Sequence, residues 1–590
     1  MDDLRPSAGD ERPGRGRVVA TVVAFWLVAV ALQAVVLWQS DPPVLGRNDD
    51  LMRLAQVADL QEGQDWYDLT QYRLNPPEGT SMHWSRHVDV PVGGLIAVFG
   101  GPGDGPERAA MIVYPLLLLL GAVGAVAAIA RTVGGTAAVP AALVVLVASA
   151  YPTIQFSPGR IDHHSLQVVL LLVAIAGLLR LEVPGWAIAG GAAAGVSVTI
   201  GLELLVPVAA VALAVASVAV AEGRPSAPPV WRFAAALTAA ATGSALLFAP
   251  PGRLVAAECD VFSLPYWLAL LLGGAVLAVL PLVGAPGPPG RRLRFGALAG
   301  GGLAAAVAGF GIAPECLAGP YSAVDPFLRE HWLSNVTEAR GLGTLLAEDP
   351  GLAAGLLVPG IVAIGYVLVR AIRSRDLAGS WSRLLPVLLL SYGIALVQIR
   401  GATAATTASA AVLGVTLVAV RERLLVRSLV TRIAALFGFV LVASGLLPMA
   451  LGALAGGGAG GEAGSRRCIE QVRELDRLPP AVIAGPIDLG PSILAFTGHS
   501  VLAAPYHRNN DGNLAAWRIL TAFPEQGPEI FDDAGATLVA VCPHLGEIGY
   551  LVDLAPEGLL AALLADRAPA WLEEVDLGTA DLRVYRVTDE

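Results

Sequence analysis

Several residue types and motifs are scarce or missing in this 590-residue chain. It has no lysine, so its 38 basic residues are all arginine, and charged residues make up only 15% against roughly 25% in an ordinary globular protein. Four cysteines are too few for a disulfide-built scaffold. The chain has no Walker A loop, G-x-S-x-G turn, H-E-x-x-H helix or CxxC pair. The chain therefore carries none of these short signatures of nucleotide-binding, serine-hydrolase or zinc-protease chemistry.

Apolar residues dominate the composition. Hydrophobic residues account for 55% of the chain and its mean hydropathy is +0.64, which excludes a soluble monomer. The 67 glycines and 42 prolines follow no G-x-y period, so the chain is not collagen-like, and both residues suit closely packed or broken membrane helices. The formal net charge of −11 predicts no nucleic-acid partner.

Apolar runs of roughly 17–25 residues, the length that a bilayer requires, recur along the chain. The first follows an arginine-rich N-terminus and ends without a small-residue cleavage site, so we interpret it as a retained span rather than a signal peptide. We predict thirteen transmembrane helices. Their ranges are 18–39, 109–130, 136–152, 165–182, 186–200, 203–221, 232–250, 266–284, 295–314, 352–371, 384–399, 402–420 and 431–454.

The arginine distribution predicts the orientation. With the N-terminus inside, thirteen spans place the C-terminus outside. The loops then predicted to be cytoplasmic hold 19 arginines, whereas the longer outer segments before residue 456 hold 10, as the positive-inside rule requires. We therefore expect a multi-pass plasma-membrane protein with a cytoplasmic N-terminus and large outer loops at 40–108 and 315–351.

A soluble-looking tail follows a glycine-rich hinge. It alternates short β-rich runs with helical stretches, the rhythm of a small α/β domain. The expected strands are 481–486, 500–505, 537–542 and 582–587, and the expected helices are 490–497, 514–523 and 556–565. The predicted fold is thus an α-helical polytopic membrane domain over 1–455 and an extracytoplasmic α/β domain over 456–590, which carries a net charge of −11.

The first half of the chain has two groups of acidic residues in segments that we predict to lie on the outer face. Asp49 and Asp50 lie just beyond the first span, where adjacent carboxylates are costly unless hydrated, paired or bound to a cation; the alternative is a helix N-cap. Asp162 precedes His163 and His164 before the fourth span. In extended backbone Asp162 and His164 point the same way and can hold Mn²⁺, Mg²⁺ or Zn²⁺, or Asp162 is simply an N-cap.

A third acidic residue, Glu338, lies in the second large outer loop. It is either a ligand or a surface carboxylate. The preceding Asn335-Val336-Thr337 also spells a glycosylation sequon, a short match that arises often by chance.

Cationic and aromatic residues of the outer segments are less specific candidates. Arg508 follows Tyr506 and His507 after a predicted strand, where α/β domains place working loops, although a polar turn explains it equally. Arg400 at the outer end of the eleventh span suits a phosphate or snorkels to the interface. Three of these residues are candidate substrate contacts: His163, and Tyr506 and His507 in the tail.

The segment His83-Trp84-Ser85-Arg86-His87 has the composition of a membrane interface. His83 and Arg86 are further candidate substrate contacts. The cysteines at 259, 316, 468 and 542 all fall outside, where disulfides are permitted. We expect pairing within the membrane part and within the tail, with unpaired buried thiols as the alternative.

The order of these motifs resembles the GT-C superfamily of polytopic glycosyltransferases, and within it the catalytic subunit of oligosaccharyltransferase. Asp49 or Asp50 matches the family's acidic residue after span one, Asp162 to His164 its D-x-H motif, and Asn335 to Glu338 its Ser-Val-Ser-Glu-like motif. Arg400 matches an arginine that contacts donor phosphate. The resemblance covers about 18–454 and lacks the acceptor-reading Trp-Trp-Asp-Tyr-Gly motif.

The resemblance implies a metal-dependent transferase that moves a sugar or oligosaccharide from a polyprenyl-phosphate-linked donor to an acceptor on the outer face. Divalent Mn or Mg offsets charge on the phosphate leaving group in such a reaction. The implied metal ligands are Asp50, Asp162, His164 and Glu338. The remaining carboxylate of the Asp49–Asp50 pair would orient the acceptor, and Arg400, with Arg508 as a weaker candidate, would bind donor phosphate.

A transporter or flippase for a lipid-linked or anionic solute is the rival interpretation. Such proteins place charges within the membrane along the transport path, whereas the predicted spans contain almost none and the acidic residues gather outside. That distribution favours an enzyme. A scaffold protein whose tail binds partners is the third interpretation, in which the outer carboxylates need no metal.

Overall fold

A computed structural model describes residues 15–39, 46–336, 340–454 and 462–588. Helices and one two-stranded hairpin form the part before residue 455. The elements are α1 (Arg15–Gln39), α2 (Asn48–Gln61), β1 (Thr70–Gln71), β2 (Thr80–Ser81), α3 (Asp89–Phe99), α4 (Asp104–Gly134), α5 (Ala138–Ala148), α6 (Ala150–Gln155), α7 (His163–Leu179), α8 (Pro184–Ile200), α9 (Leu205–Glu222), α10 (Ala227–Phe248), α11 (Leu264–Val279), α12 (Pro288–Phe310), α13 (Pro326–His331), α14 (Leu342–Glu348), α15 (Pro350–Ser374), α16 (Ser380–Val397), α17 (Ala402–Arg423), α18 (Leu429–Ala443) and α19 (Leu446–Ala453).

Every predicted span coincides with a helix. In the described ranges nine helices are long and apolar enough to cross a bilayer, and α18 with α19 forms a tenth span bent by 73°. The other three predicted spans match α7 and α8, each of 17 residues, and α5, of 11 residues. Helix α5 is short because the chain turns extended at Ser149 before continuing as α6. The prediction of an α-helical polytopic membrane protein is confirmed.

Glycines allow the helices around the site to approach closely. A Cβ at Gly191 or Gly195 of α8 would lie 2.2 or 2.3 Å from a backbone oxygen of α10, and one at Gly177 of α7 would lie 2.5 Å from Gly190. Small residues spaced by four place two backbones in direct contact. The backbones of α7 and α8, and of α8 and α10, therefore lie in direct contact along the bodies of these helices.

The tail forms a five-stranded sheet with flanking helices. Its elements are α20 (Glu462–Gln471), β3 (Val482–Ala484), α21 (Gly490–Phe496), β4 (Ser500–Val501), α22 (Asn510–Thr521), α23 (Gly527–Ala534), β5 (Leu538–Val541), α24 (Gly546–Leu554), α25 (Leu559–Leu564), β6 (Leu572–Glu574) and β7 (Arg583–Val587). The strand order is β4-β3-β5-β7-β6, with β3 parallel to β4 and β5 and with β7 antiparallel to β5 and β6. All four predicted strands and all three predicted helices are present.

The first outer loop extends this sheet. Leu74 pairs in parallel with Val501, where the N–H of Asn75 donates to the Val501 carbonyl at 2.8 Å and the Val501 N–H donates to Arg73 at 2.8 Å. Met52 and Trp84 of the same loop belong to the tail's apolar core. The loop and the tail therefore share one core.

Two disulfides lie on the same face of the helices as the tail. Cys259, between α10 and α11, pairs with Cys316 after α12. Cys468 of α20 pairs with Cys542 at the end of β5. The expected pairing, one bridge in the membrane part and one in the tail, is what the structure contains.

Candidate active site

Asp50 and Asp162 lie 112 positions apart in sequence and meet around Arg160. Asp50 is fully buried in the first turn of α2, and its Oδ1 accepts from the backbone N–H of Ile161 at 2.8 Å and of Asp162 at 2.9 Å. Its Oδ2 accepts from Arg160 Nη1 at 3.1 Å, while Arg160 Nη2 donates to Asp162 Oδ2. One guanidinium thus bridges the two carboxylates that the sequence predicted to converge.

The two carboxylates differ in proton affinity. Burial raises the pKa of Asp50 to about 7; Arg160 lowers this pKa and the Asp162 charge raises it. Burial also opposes ionisation of Asp162, but Arg160 and then His164 and His163 outweigh it and hold the pKa near 2. At neutral pH, Asp162 is therefore ionised and Asp50 titrates.

The two histidines after Asp162 begin helix α7. The Asp162 Oδ1 accepts from the His164 backbone N–H at 3.1 Å, so this aspartate is an N-cap as well as a member of the cluster. The ring of His164 lies 4.2 Å from that of His163. His163 Nε2 in turn lies 3.2 Å from Glu203 Oε1, in the link between α8 and α9.

A cleft adjoins this cluster at the C-terminal ends of α8 and α10 and the start of α9. Its empty volume, counted out to solvent, is about 360 Å³, and we call it the Trp84 cleft. His83 and Trp84 line it together with Glu203, Arg253 and Asp260. Burial and the neighbouring His507 lower the pKa of His83 well below its usual value, so its ring is neutral at physiological pH.

Arg508 lies on the far side of that cleft and is fully engaged. It donates from Nε at 2.6 Å and from Nη2 at 2.7 Å to Asp260, and from Nη2 to Glu258 at 2.6 Å. His507 Nε2 lies 2.8 Å from Asp260 Oδ2. Burial raises the pKa of Asp260, but Arg508 and His507 together hold it well below its usual range. This cluster fastens the tail to the disulfide-bonded segment after α10.

The tail also contacts the start of α2. The Tyr506 hydroxyl donates to the carbonyl of Asn48 at 3.2 Å, and the Asn48 side chain donates to Asp488 at 2.7 Å. Asn48 immediately precedes the predicted pair of Asp49 and Asp50. Tyr506 therefore supports the backbone of the candidate site.

Three of the predicted site residues are not part of this described cluster. Arg86 is buried and donates to Asp89 at 3.0 Å and to the Asp68 carbonyl at 2.5 Å, so it holds its own loop together and is enclosed there. Glu338 lies outside the described residues, as does the side chain of Arg400, whose backbone belongs to the short turn Ile399–Gly401 after α16.

The described residues bring together part of the predicted metal ligand set. No group of three or more His, Cys, Asp or Glu side chains in the described ranges is arranged around a metal position. Asp50 and Asp162 supply two converging carboxylates, the donor type that hard divalent cations prefer, with His164 next to them. Within those ranges the Arg160 guanidinium joins the carboxylates.

Glu203 and Asp260 were not predicted as site residues from the sequence. A signal for Glu203 existed, since it interrupts an apolar stretch between two short predicted spans. A Cβ at Gly201 would lie 2.2 Å from the Glu203 carboxylate, so the glycine makes room for it. Asp260 gave no signal, because it stands between cysteine and valine in an ordinary polar loop.

These features define a multi-pass membrane protein in which loops on one face and the C-terminal tail enclose a buried acidic site. No family model matches the chain, and no curated protein matches it. Among solved structures, it is similar to the archaeal oligosaccharyltransferase AglB from Archaeoglobus fulgidus in complex with an inhibitory peptide and a dolichol-phosphate, with a TM-score of 0.69 at 15% identity, covering 92% of this chain and 72% of that one.

Two further structures of the Archaeoglobus fulgidus oligosaccharyltransferase are similar. One is tethered with an acceptor peptide containing the NVT sequon, with a TM-score of 0.66 at 15% identity over 98% of this chain and 74% of that one. The other is a complex with Zn and sulfate, with a TM-score of 0.63 at 13% identity over 96% and 73%. The fold resemblance inferred from the motifs is therefore confirmed.

Proposed function

We propose that this chain is a membrane glycosyltransferase that moves a sugar from a polyprenyl-phosphate-linked donor to an acceptor on the outer face of the membrane. The observation that carries the proposal is the meeting of Asp50 and Asp162 around Arg160, where loops of an oligosaccharyltransferase-like fold converge. A buried site with one titrating and one ionised carboxylate suits acid–base and cation chemistry.

The lipid donor accounts for the polytopic body. A polyprenyl tail stays in the bilayer while its phosphate and sugar reach the outer loops. The neighbour solved with a dolichol-phosphate supports this class of ligand. We assign donor-phosphate binding to Arg400, because Arg508 is already bonded to Asp260 and Glu258.

The proposed cofactor is a divalent cation, Mn²⁺ or Mg²⁺, held by Asp50, Asp162 and His164 with Glu338 as the fourth ligand. Such a cation, when bound, stabilises negative charge on the phosphate leaving group. The neighbour complexed with Zn and sulfate supports a cation in this fold. Asp49, in the same turn of α2, is the proposed group that orients the acceptor hydroxyl or amide.

The test is a transfer assay with full-length protein, a polyprenyl-phosphoryl sugar and Mn²⁺. We expect sugar release to fall at least a hundredfold in Asp162→Asn and Asp50→Asn, while Asp104→Asn, an exposed aspartate of the same face, keeps wild-type activity. Release that persists unchanged in both site variants contradicts the catalytic assignment. Donor that changes leaflet without losing its sugar supports the flippase instead.

A further inference from the structure

A group of arginines lies at the helix ends opposite the candidate active site. Helix α7 begins at that site, and its other end contacts the start of α16, where Arg383 donates to the Leu178 carbonyl at 3.1 Å. Five residues separate the end of α15 from the start of α16, and α17 runs back from the far end of α16, so α15 and α17 both end on this side. We call the arginines at these ends and before the first turns of α18 the arginine patch: Arg370, Arg373, Arg375, Arg421, Arg423, Arg427 and Arg432.

The arginine patch carries positive charge that the surrounding side chains do not balance. Its segments, 370–376 and 421–432, hold seven arginines and two acidic residues. Within the described ranges none of the seven guanidinium groups is paired with a carboxylate. Arg294 on the same side is used differently, since it donates to the carbonyls of Val220 at 3.0 Å and Val283 at 3.1 Å. Because unpaired like charges repel one another, the patch favours an anion among them.

An aromatic pair supports the first arginine of the patch. The guanidinium carbon of Arg370 lies 5.4 Å from the centre of the Trp381 ring, and Tyr366 packs edge-on against the same ring with the centroids 5.6 Å apart. Arg370 of α15 and Arg423 of α17 both act electrostatically on the Tyr366 hydroxyl, so the two helices bring these charges together. The ring face holds the Arg370 guanidinium through a cation–π contact, and its N–H groups have the geometry that binds phosphate oxygens.

Exposed aliphatic side chains alternate with the arginines. Val426, between Arg423 and Arg427, is 88% exposed, and Ile372, next to Arg373, is 65% exposed. Helices α15 and α17 are long and apolar enough to span a bilayer, as is the bent pair of α18 and α19, so these side chains continue the lipid-facing surface of three spans. Aliphatic groups at such a depth enter the acyl chains while arginines reach the phosphates. This arrangement favours a lipid over a soluble anion.

We propose that the arginine patch binds the headgroup of an anionic phospholipid in the leaflet that these helix ends meet. Arg370 and Arg423 bind the headgroup phosphate, and Val426 lies among the acyl chains. A headgroup with a net negative charge, such as phosphatidylglycerol, is preferred, because the cation of a zwitterionic headgroup is repelled by the remaining arginines. This lipid is distinct from the polyprenyl donor, whose phosphate we place at the opposite helix ends, so the inference does not depend on the proposed transfer.

The experiment titrates full-length protein in detergent with phosphatidylglycerol and, separately, with phosphatidylcholine, and counts bound lipid by native mass spectrometry. We expect wild type to bind phosphatidylglycerol about tenfold more tightly than phosphatidylcholine, and the double variant Arg370→Gln with Arg423→Gln to lose about tenfold in affinity for phosphatidylglycerol only. Added salt should weaken the binding of phosphatidylglycerol to wild type, because salt screens the charges. The single variant Arg427→Gln, at an exposed position, should lose part of this affinity and serves if the double variant does not fold.

The matched control is Arg291→Gln with Arg292→Gln, which removes the same charge from two exposed positions at the start of α12 on the same side. This control should bind phosphatidylglycerol as wild type does. Equal loss in the patch and control variants shows general attraction to the surface and overturns the proposed site. Unchanged binding in the patch variants, or equal affinity of wild type for the two lipids, also overturns it. Inorganic phosphate that competes fully with phosphatidylglycerol at equal concentration contradicts a lipid ligand.

Discussion

Arg160 sets the charge balance of the candidate active site. Its guanidinium, 13% exposed, separates two carboxylates that are themselves enclosed. Asp50 also accepts three backbone N–H groups, from Arg47, Ile161 and Asp162, so its position is fixed independently of the arginine. A cation that replaced Arg160 would therefore find the carboxylates already in place.

We predict that Arg160→Gln lowers the free energy of unfolding by roughly 3 kcal/mol, because it leaves two buried carboxylates without their counter-charge. Added Mn²⁺ should recover much of this loss, seen as a rise in the midpoint of thermal unfolding that exceeds the rise in wild type. Arg467→Gln, which breaks an ion pair whose arginine is half exposed, is the control. A variant that Mn²⁺ does not stabilise contradicts the cation proposal.

The pH dependence of transfer should report Asp50. Its raised pKa of about 7 means that the carboxylate becomes protonated as the pH falls through neutrality, and a protonated carboxyl neither binds a cation nor opposes Arg160. At limiting Mn²⁺, where protons compete with the cation for Asp50, we expect the rate to fall as the pH drops below 7 and to level off above it. Asp162, with a pKa near 2, should cause no change in the transfer rate between pH 5 and 8. A flat profile through pH 7 contradicts this role for Asp50.

Some residues of the candidate site could be predicted from the sequence and others could not. Asp50 and Asp162 could be identified because a carboxylate beside a span end is costly and therefore conspicuous. Arg160 precedes Asp162 by two positions, yet its bond to Asp50 depends on a contact across 110 positions. Asp260 depends on Arg508 across 248 positions. Pairings of that kind are fixed by tertiary packing, which local patterns do not contain.

At the scale of secondary-structure elements, hydropathy and the alternation of apolar and polar residues predicted the helices and strands that local interactions determine. Strands β3, β4, β5 and β7 of the tail were predictable because each is a short apolar run between turn residues. The edge strand β6, Leu572–Glu574, has two acidic residues among its three and was missed. The pairing of Leu74 with Val501 was also beyond prediction, because a loop some 400 positions away supplies the backbone partner.

That pairing yields a prediction about the first outer loop. Arg73 donates to the carbonyls of Leu494 at 2.7 Å and Thr497 at 2.7 Å, which close the end of α21. We expect Arg73→Ala to cost about 1–3 kcal/mol, since it leaves these carbonyls unsatisfied, and to make the loop cleavable by protease under native conditions. Arg567→Ala, at an exposed position of the tail, should remain resistant. Equal cleavage of both variants would show that Arg73 does not hold the loop.

At the scale of the whole molecule, charge is sorted along the chain. Residues 456–590 carry 20 acidic residues and 9 arginines, the entire net charge of −11. The membrane part has equal numbers of acidic residues and arginines, and most of these arginines lie at the helix ends on one side. The candidate site, both disulfides and the sheet lie at the helix ends on the other side. One face of the protein thus carries the chemistry, and the orientation of the helices decides which compartment that face meets.

We predict that this face is extracytoplasmic. Alkaline phosphatase fused after residue 590 should be active, because the enzyme needs an oxidising compartment for its disulfides, whereas the same enzyme fused at Ala378, between α15 and α16 beside Arg373 and Arg375, should be inactive. The positive-inside rule and an odd number of spans give this result. Green fluorescent protein at the two positions should show the reverse pattern. An inactive phosphatase at the C-terminus would place the carboxylate cluster in the cytoplasm and would contradict transfer on the outer face.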